Sequence, residues 1–283
     1  MLKAWSIRIA VLVVLAVFLF PLYWMVLTSL KSRIDVGTSP PQFVFKPTAA
    51  NYAKVVRKVT RTYDGRVEVG PSDFPGALCN SLVIGALSTL AAVVLGTLSA
   101  YAFSRFRIPG KGDLLFFILS TRMLPPVVIV VPVYAMYTAV GLRQTHLCLV
   151  ILYAAFNMSF AVWIMKSFID EIPREFEEAA LCDGYSRWQA FCKVVVPQIY
   201  PGAAATAIFC MITAWNEYVF AMVLAADTPL VAPYRIVNTQ VTTSGTAFEE
   251  IAALSIVFLL PVVIATFLLR KHLLRGVTFG IVK

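Results

Sequence analysis

Three places in this chain hold residues whose types and spacing could do chemistry. The first is a charged stretch, Ile172-Pro173-Arg174-Glu175-Phe176-Glu177-Glu178-Ala179-Ala180-Leu181-Cys182-Asp183-Gly184-Tyr185-Ser186-Arg187-Trp188-Gln189-Ala190-Phe191. The second is Arg122, stranded in an apolar run just ahead of Pro125-Pro126. The third is Glu217, within Trp215-Asn216-Glu217-Tyr218 in another such run. Charge inside an apolar span is costly and marks function by default. Arg122 stands roughly eight residues into its run, ~12 Å deep at ~1.5 Å per residue. Glu217, Asn216 and Trp215 together offer hydrogen-bond forks and a stacking plane, a mixture suited to sugars. Asn157 and Ser159 are polar too, although such residues in membrane helices more often bond helix to helix.

Other chemistry is excluded by residue type. His146 and His272 are the only histidines, so a multi-histidine metal site cannot form within the chain. The five cysteines (Cys79, Cys148, Cys182, Cys192, Cys210) are odd in number and form no C-x-x-C pair, which argues against a disulfide framework or zinc knuckle. No H-E-x-x-H, intramembrane carboxylate pair or credible Ser/His/Asp set is present, so no catalytic residue is expected. Gly110-Lys111-Gly112 lacks the upstream glycine and the following Ser or Thr of a P-loop. If the chain drives uphill transport, the energy must arrive from another polypeptide through a contact.

Composition identifies the elements that position these residues. The 283 residues are 59% hydrophobic and 14% charged, with mean hydropathy +0.80. Soluble chains are usually ~45–50% apolar and ~25% charged. A polytopic inner-membrane protein fits, and disorder and small secreted scaffolds do not. The net charge of +9 does not point to nucleic acid, because Lys and Arg fall mostly between apolar runs, where they set topology.

Six runs reach the ~20 apolar residues that a membrane helix needs: 7–30, 78–103, 114–140, 145–168, 201–225 and 250–269. The first follows Lys3 and Arg8 but is too long for a cleaved signal and reads as a retained anchor. Arg105, Arg107 and Lys111, then Lys166, Arg174, Arg187 and Lys193, then Arg270, Lys271, Arg275 and Lys283 mark one side as cytoplasmic. Both termini are then cytoplasmic. The loop from Lys31 to Pro75 carries eight basic residues yet falls outside, where its length weakens it as a topology signal. It is irregular, with a short helix expected near 51–59, and is either a surface cap or a docking surface. The resulting divisions are an N-terminal helix at 1–31, an external loop at 32–77, a core at 78–270 containing a cytoplasmic loop at 170–197, and a tail at 271–283.

The charged stretch reads as a helix–turn–helix. Pro173 suits a first helical turn, and the acids behind it complement the helix dipole. Gly184 tolerates the positive φ that ends a helix. Ser186 and Gln189 form a capping box for a second short helix. Phe176, Ala179, Ala180, Trp188 and Phe191 are expected to face the membrane domain, with Arg174, Glu175, Glu178 and Asp183 facing the cytosol.

Glu178-Ala179-Ala180, Asp183-Gly184 and Val194-x-Val196-Pro197 resemble the EAA loop of ATP-binding-cassette importer permeases, with Tyr185 in place of the usual small residue. Asn80-Ser81 at the opening of the second run is similar to the start of the membrane domain in such permeases, and Trp215-Asn216-Glu217-Tyr218 and the ending Arg275-Gly276-Val277-Thr278-Phe279-Gly280-Ile281-Val282-Lys283 are similar to features of the carbohydrate branch of type I importers, like the second membrane chain of maltose-type permeases. That resemblance implies an all-α permease fold with six transmembrane helices, importing a sugar, oligosaccharide, polyol or related solute. It implies that Glu178, Ala179, Ala180, Asp183 and Gly184 dock an ATPase. Arg122, Asn157, Trp215, Asn216 and Glu217 are candidates for the substrate pathway. The implied partners are a homologous permease subunit, two ATPase subunits holding ATP and Mg, an extracytoplasmic solute-binding protein and the lipid bilayer. No cofactor is expected on this chain. The alternative is an ion-coupled secondary transporter acting as a dimer, with Glu217 as its one clear intramembrane acid.

Overall fold

The structure, a computed structural model, describes residues 2–61, 67–239 and 246–278. In lipid every backbone polar group must be satisfied within the protein, and long apolar runs meet that demand as helices. Among the described residues five helices are long and apolar enough to cross a membrane: α1 (Leu2–Ser29), α4 (Phe74–Arg105), α7 (His146–Asp170), α10 (Val196–Trp215) with the turns that lead into it from Arg187, and α13 (Phe248–Thr278). The expected crossing at 114–140 is a broken pair. α5 (Lys111–Ser120) and a 3-10 turn (Thr121–Met123) meet α6 (Pro126–Ala139) at 94°. Pro125 has an extended backbone and Pro126 opens α6, so the missing N–H groups fall where a helix start leaves donors unpaired anyway. Pro132 sits inside α6 without ending it.

The expected run at 201–225 is also corrected. α10 ends at Trp215, and a separate α11 (Val219–Leu224) follows. At its other end α10 continues a π-helical turn (Phe191–Val195) and α9 (Arg187–Ala190).

The chain divides into two units. One comprises Met1–Leu78 and Tyr234–Pro261. It holds α1, α2 (Arg33–Val36), α3 (Ala50–Val56) and an antiparallel hairpin of β1 (Arg57–Arg61) and β2 (Val67–Pro71). The helix expected at 51–59 therefore stops at Val56, where the chain turns extended. Asn51 Nδ2 donates to the carbonyls of Ser29 (2.9 Å) and Lys31 (2.8 Å), and the Tyr52 hydroxyl meets Ser29 Oγ at 2.8 Å. The two Asn51 bonds satisfy carbonyls left open where α1 stops. α12 (Ala232–Asn238), from Tyr234 onward, and the first part of α13 complete the unit.

The second unit comprises Cys79–Pro233 and Val262–Lys283. Its α4, α7 and α10 pack on Ala100, Met165, Ile169, Ile172, Phe191, Val195 and Ile199. Gly96 permits close approach of α4 and α7, since a Cβ there would lie 2.5 Å from Ala161 Cβ. The tail motif at 275–283 falls in part beyond the described residues. Residues 279–283 lie outside the described residues, as do the side chains of Lys3, Arg270, Lys271 and Arg275.

Candidate functional site

The loop between α7 and α10 takes the helix–turn–helix form. α8 (Glu175–Cys182) carries Glu175, Glu177 and Glu178 in its first turn, and Pro173 lies just outside it. Gly184 has φ +88°, a conformation L side chains rarely adopt, and ends the helix. Ser186 and Gln189 complete their capping box at the start of α9.

Which side of α8 is buried differs from the expectation. Ala180 and Phe191 are buried as expected, but Phe176 (55% exposed), Ala179 and Trp188 (63%) point away from the protein. Arg174, Glu175, Glu178 and Asp183 are exposed as expected. Glu177 takes the inward place. Its carboxylate pairs with Arg105 Nε and accepts the Tyr101 hydroxyl at 2.8 Å, and the two ionic side chains are only 8% and 9% exposed. Arg105 also donates from Nη1 to Ser104 Oγ and from Nη2 to the Ile172 carbonyl, both at 2.9 Å. Arg174 Nη2 returns a bond to the Ser104 carbonyl at 2.9 Å. Ser104 Oγ donates to Asp170 at 2.5 Å, and Asp170 is paired with Lys166. The last turn of α4 is thus laced to the entry of α8. This leaves an outward surface of Phe176, Glu178, Leu181, Tyr185 and Trp188 around Gly184.

Arg122 and Glu217 come together at the two helix breaks. With Leu124, Pro126, Tyr153, Phe156, Asn157, Thr213, Ala214 and Phe220 they line a cavity of about 190 Å³. Each charge is held by different groups. Arg122 Nη1 donates to the Phe156 carbonyl (3.2 Å), and the guanidinium lies over the rings of Phe156 (5.2 Å) and Phe160 (4.9 Å). Glu217 accepts the Tyr153 hydroxyl (2.9 Å) and the backbone N–H groups of Phe220 (3.1 Å) and Ala221 (3.4 Å). It therefore supplies acceptors for the open donors at the start of α11.

Asn157 lines the cavity but is buried. Its Nδ2 donates to the Cys210 carbonyl (3.1 Å), and its Oδ1 accepts from Thr213 Oγ1 (2.7 Å). It joins α7 to α10, as polar residues in membrane helices commonly do. Trp215 is 2% exposed, and Asn216, which is exposed, bonds back to the Ile212 carbonyl at 2.8 Å. Neither is among the residues that line the cavity. The tetrapeptide thus ends one helix and starts the next. Among the described residues no cluster of three or more His, Cys, Asp or Glu could hold a metal.

At the other end of α4, Asn80 Nδ2 donates to the Leu230 carbonyl (2.9 Å), and Asn80 Oδ1 meets His146 Nε2 (3.0 Å). Ser81 Oγ accepts from Ala232 N–H (2.9 Å). Sequence reasoning noted Asn80-Ser81 only as a likeness. It missed Glu177 and Tyr101, and it gave Arg105 only a topological role. The one local signal was an Arg ending a span at the same membrane face as an acidic helix.

Residues 92–279 match the family described as binding-protein-dependent transport system inner membrane component. The chain is 35% identical over 271 residues to the trehalose transport system permease protein SugB of Mycobacterium tuberculosis, covering 92% of this chain and 97% of that one. It is 28% identical over 283 residues to the trehalose/maltose transport system permease protein MalG of Thermococcus litoralis, covering 100% and 98%. A chain in the crystal structure of a bacterial ABC transporter involved in the import of the acidic polysaccharide alginate has the same fold, with TM-score 0.73, 22% identity and coverage of 95% and 96%.

Proposed function

From the premise that the chain belongs to the family of binding-protein-dependent transport system inner membrane components, we propose that it is the permease subunit of an ATP-driven importer for a sugar, oligosaccharide, polyol or related solute. The sugar assignment draws on relatives whose names specify trehalose and maltose. The chain is not itself an enzyme: ATP and Mg belong to partner ATPases, and no cofactor is assigned to this chain. The α7–α10 loop faces the cytoplasm, with both termini on that side. There Glu178, Ala179, Ala180, Asp183 and Gly184 dock one of two ATPases. A homologous permease completes the pathway, and a solute-binding protein docks on the opposite face.

The observation that carries this reading is the division of labour on α8. Its inner side is tied down by Arg105 and Tyr101, while its outer side offers apolar and acidic groups to another protein. ATPase closure would displace this loop as a lever and shift the population between two packings of the spans. Arg122, Tyr153 and Glu217 would present their polar atoms to solute passing the cavity. Asn157, Trp215 and Asn216 act in support, fixing the helix ends around it.

Affinity purification of the tagged chain from native membranes in mild detergent tests the assembly. A second permease and a P-loop ATPase should co-purify, and repeated recovery of this chain alone would overturn the reading. Glu178→Lys should abolish solute-linked ATPase activity, and wild-type coupling in that variant would remove Glu178 from the dock.

A further inference from the structure

We propose that α4 is a strut that carries displacement of the α8–α9 loop across the membrane to the segment 230–232 on the opposite face. This rests on the loop being the ATPase dock. Three observations carry it. First, α4 is gripped at both ends by side chains. Arg105 holds Glu177 of α8 at one end, and Asn80 and Ser81 hold the Leu230 carbonyl and the Ala232 N–H at the other. Second, Asn80 and Arg105 stand 25 positions apart in one uninterrupted helix without proline between them, about 38 Å at ~1.5 Å per residue.

Third, the other routes in this unit turn or end before segment 230–232. α5 and α6 are broken at Pro125, and the continuous run of α9, the π-helical turn and α10 ends at Trp215, ahead of the break before Val219. α7 is unbroken, but it joins α8 through the non-helical link 171–174, whereas Arg105 grips α8 itself. A buried, multiply bonded ion pair resists being pulled apart, because separating its charges leaves each desolvated. Displacement of α8 therefore moves α4 rather than breaking the clamp. At the far end, bonds to the main chain of 230–232 shift the backbone of that largely buried segment and with it the adjoining exposed Asp227 and Thr228, which a solute-binding protein would meet. The same path runs in reverse, so binding outside biases the loop inside.

The test uses the whole complex, with its ATPases and loaded binding protein, in nanodiscs. The readout is the ratio of binding-protein-stimulated to basal ATPase rate, which a purely structural loss of complex does not change. Arg105→Gln with Glu177→Gln removes the inner clamp, and Asn80→Ala with Ser81→Ala removes the outer one. Each set should lower the ratio by about 5-fold or more, the scale of an ordinary coupling energy. All four substitutions together should lower it no further, since one path can be cut only once.

Asn80→Asp keeps an acceptor for His146 but loses the donor to Leu230, and should match Asn80→Ala. Arg105→Glu with Glu177→Arg should recover the ratio. Multiplicative losses in the combined variant, or equal losses of basal and stimulated rates, would overturn the strut. If the wild-type chain brings down no ATPase at all, the permease reading fails instead, so the two failures are distinguishable.

Discussion

The lacing beneath α8 and the cavity beside Arg122 both hold charge within a chain that is 59% apolar, and they hold it in opposite ways. Beneath α8 the positive and negative groups meet directly. Arg105 and Glu177 pair with side chains under a tenth exposed, and Tyr101, Ser104 and the Ile172 carbonyl take up further bonds. In the cavity the two charges are kept apart. Arg122 rests on aromatic faces and one carbonyl, and Glu217 on a phenol and the N–H groups of α11. Direct pairing closes a structure, and separate satisfaction leaves space between the charges. The first suits a part that must move as one piece, and the second suits a part that must admit something and release it.

The contrast predicts a graded series of losses. Glu177→Ala should be the most damaging, because it strands a buried guanidinium, at about 3–5 kcal/mol for breaking one side of such a pair. Thermal unfolding of the purified complex would show this as a sharp fall in Tm, and an unchanged Tm would mean that the pair is solvated. Arg122→Ala should cost less stability, about 1–3 kcal/mol, since it leaves one carbonyl to be resatisfied and no partner charge. Its effect should fall on solute transport, measured as uptake into proteoliposomes. A stability loss equal to that of Glu177→Ala would erase the distinction between the two regions.

Glu217→Gln keeps one acceptor for the start of α11 and should cost about 0.5–2 kcal/mol, the range for a weakened cap. Hydrogen exchange at Phe220 and Ala221 should rise while the remainder of α10 stays protected. The smallest effect belongs to Lys166→Ala. Its pair with Asp170 spans one helical turn with the Asp side chain 44% exposed, and such pairs contribute roughly 0.3–0.5 kcal/mol. A double-mutant cycle with Asp170→Asn should give a coupling energy of that size.

The same two regions separate what the amino-acid string reveals from what it hides. The local grammar of the loop was readable: Gly184 ends α8, Ser186 and Gln189 open α9, and Pro125-Pro126 break the third run. Each depends on neighbours within a few residues. Choosing the inward carboxylate was not possible locally, because Glu177 and Glu178 are adjacent and chemically identical. The choice depends on Arg105, which stands 72 positions away. An apolar count favours Phe176 for the inside, but the partner of α8 is an arginine and the phenyl ring is left outside.

The end of α10 was hidden for another reason. Residues 219–224 are as apolar as those before Trp215, so composition carries on through a break that only the Glu217 cap reveals. The clamp of Asn80 and Ser81 on Leu230 and Ala232 spans about 150 positions and leaves no periodic trace.

The π-helical turn at Phe191–Val195 matters for how the chain tolerates insertions and deletions. A π turn holds one residue more than α geometry requires, so it is the trace of a single added residue in an otherwise ordinary helix. The wider turn absorbs that residue, so α10 beyond it keeps the phase that brings the Cys210 carbonyl and the Thr213 hydroxyl to Asn157. Excising one residue there would close the turn to α geometry and leave that phase nearly unchanged. The same excision inside α10 would rotate the helix beyond it by about 100° and draw it back by about 1.5 Å, turning those groups away from α7. A single-residue deletion is therefore borne at this turn and not within the helix that follows it.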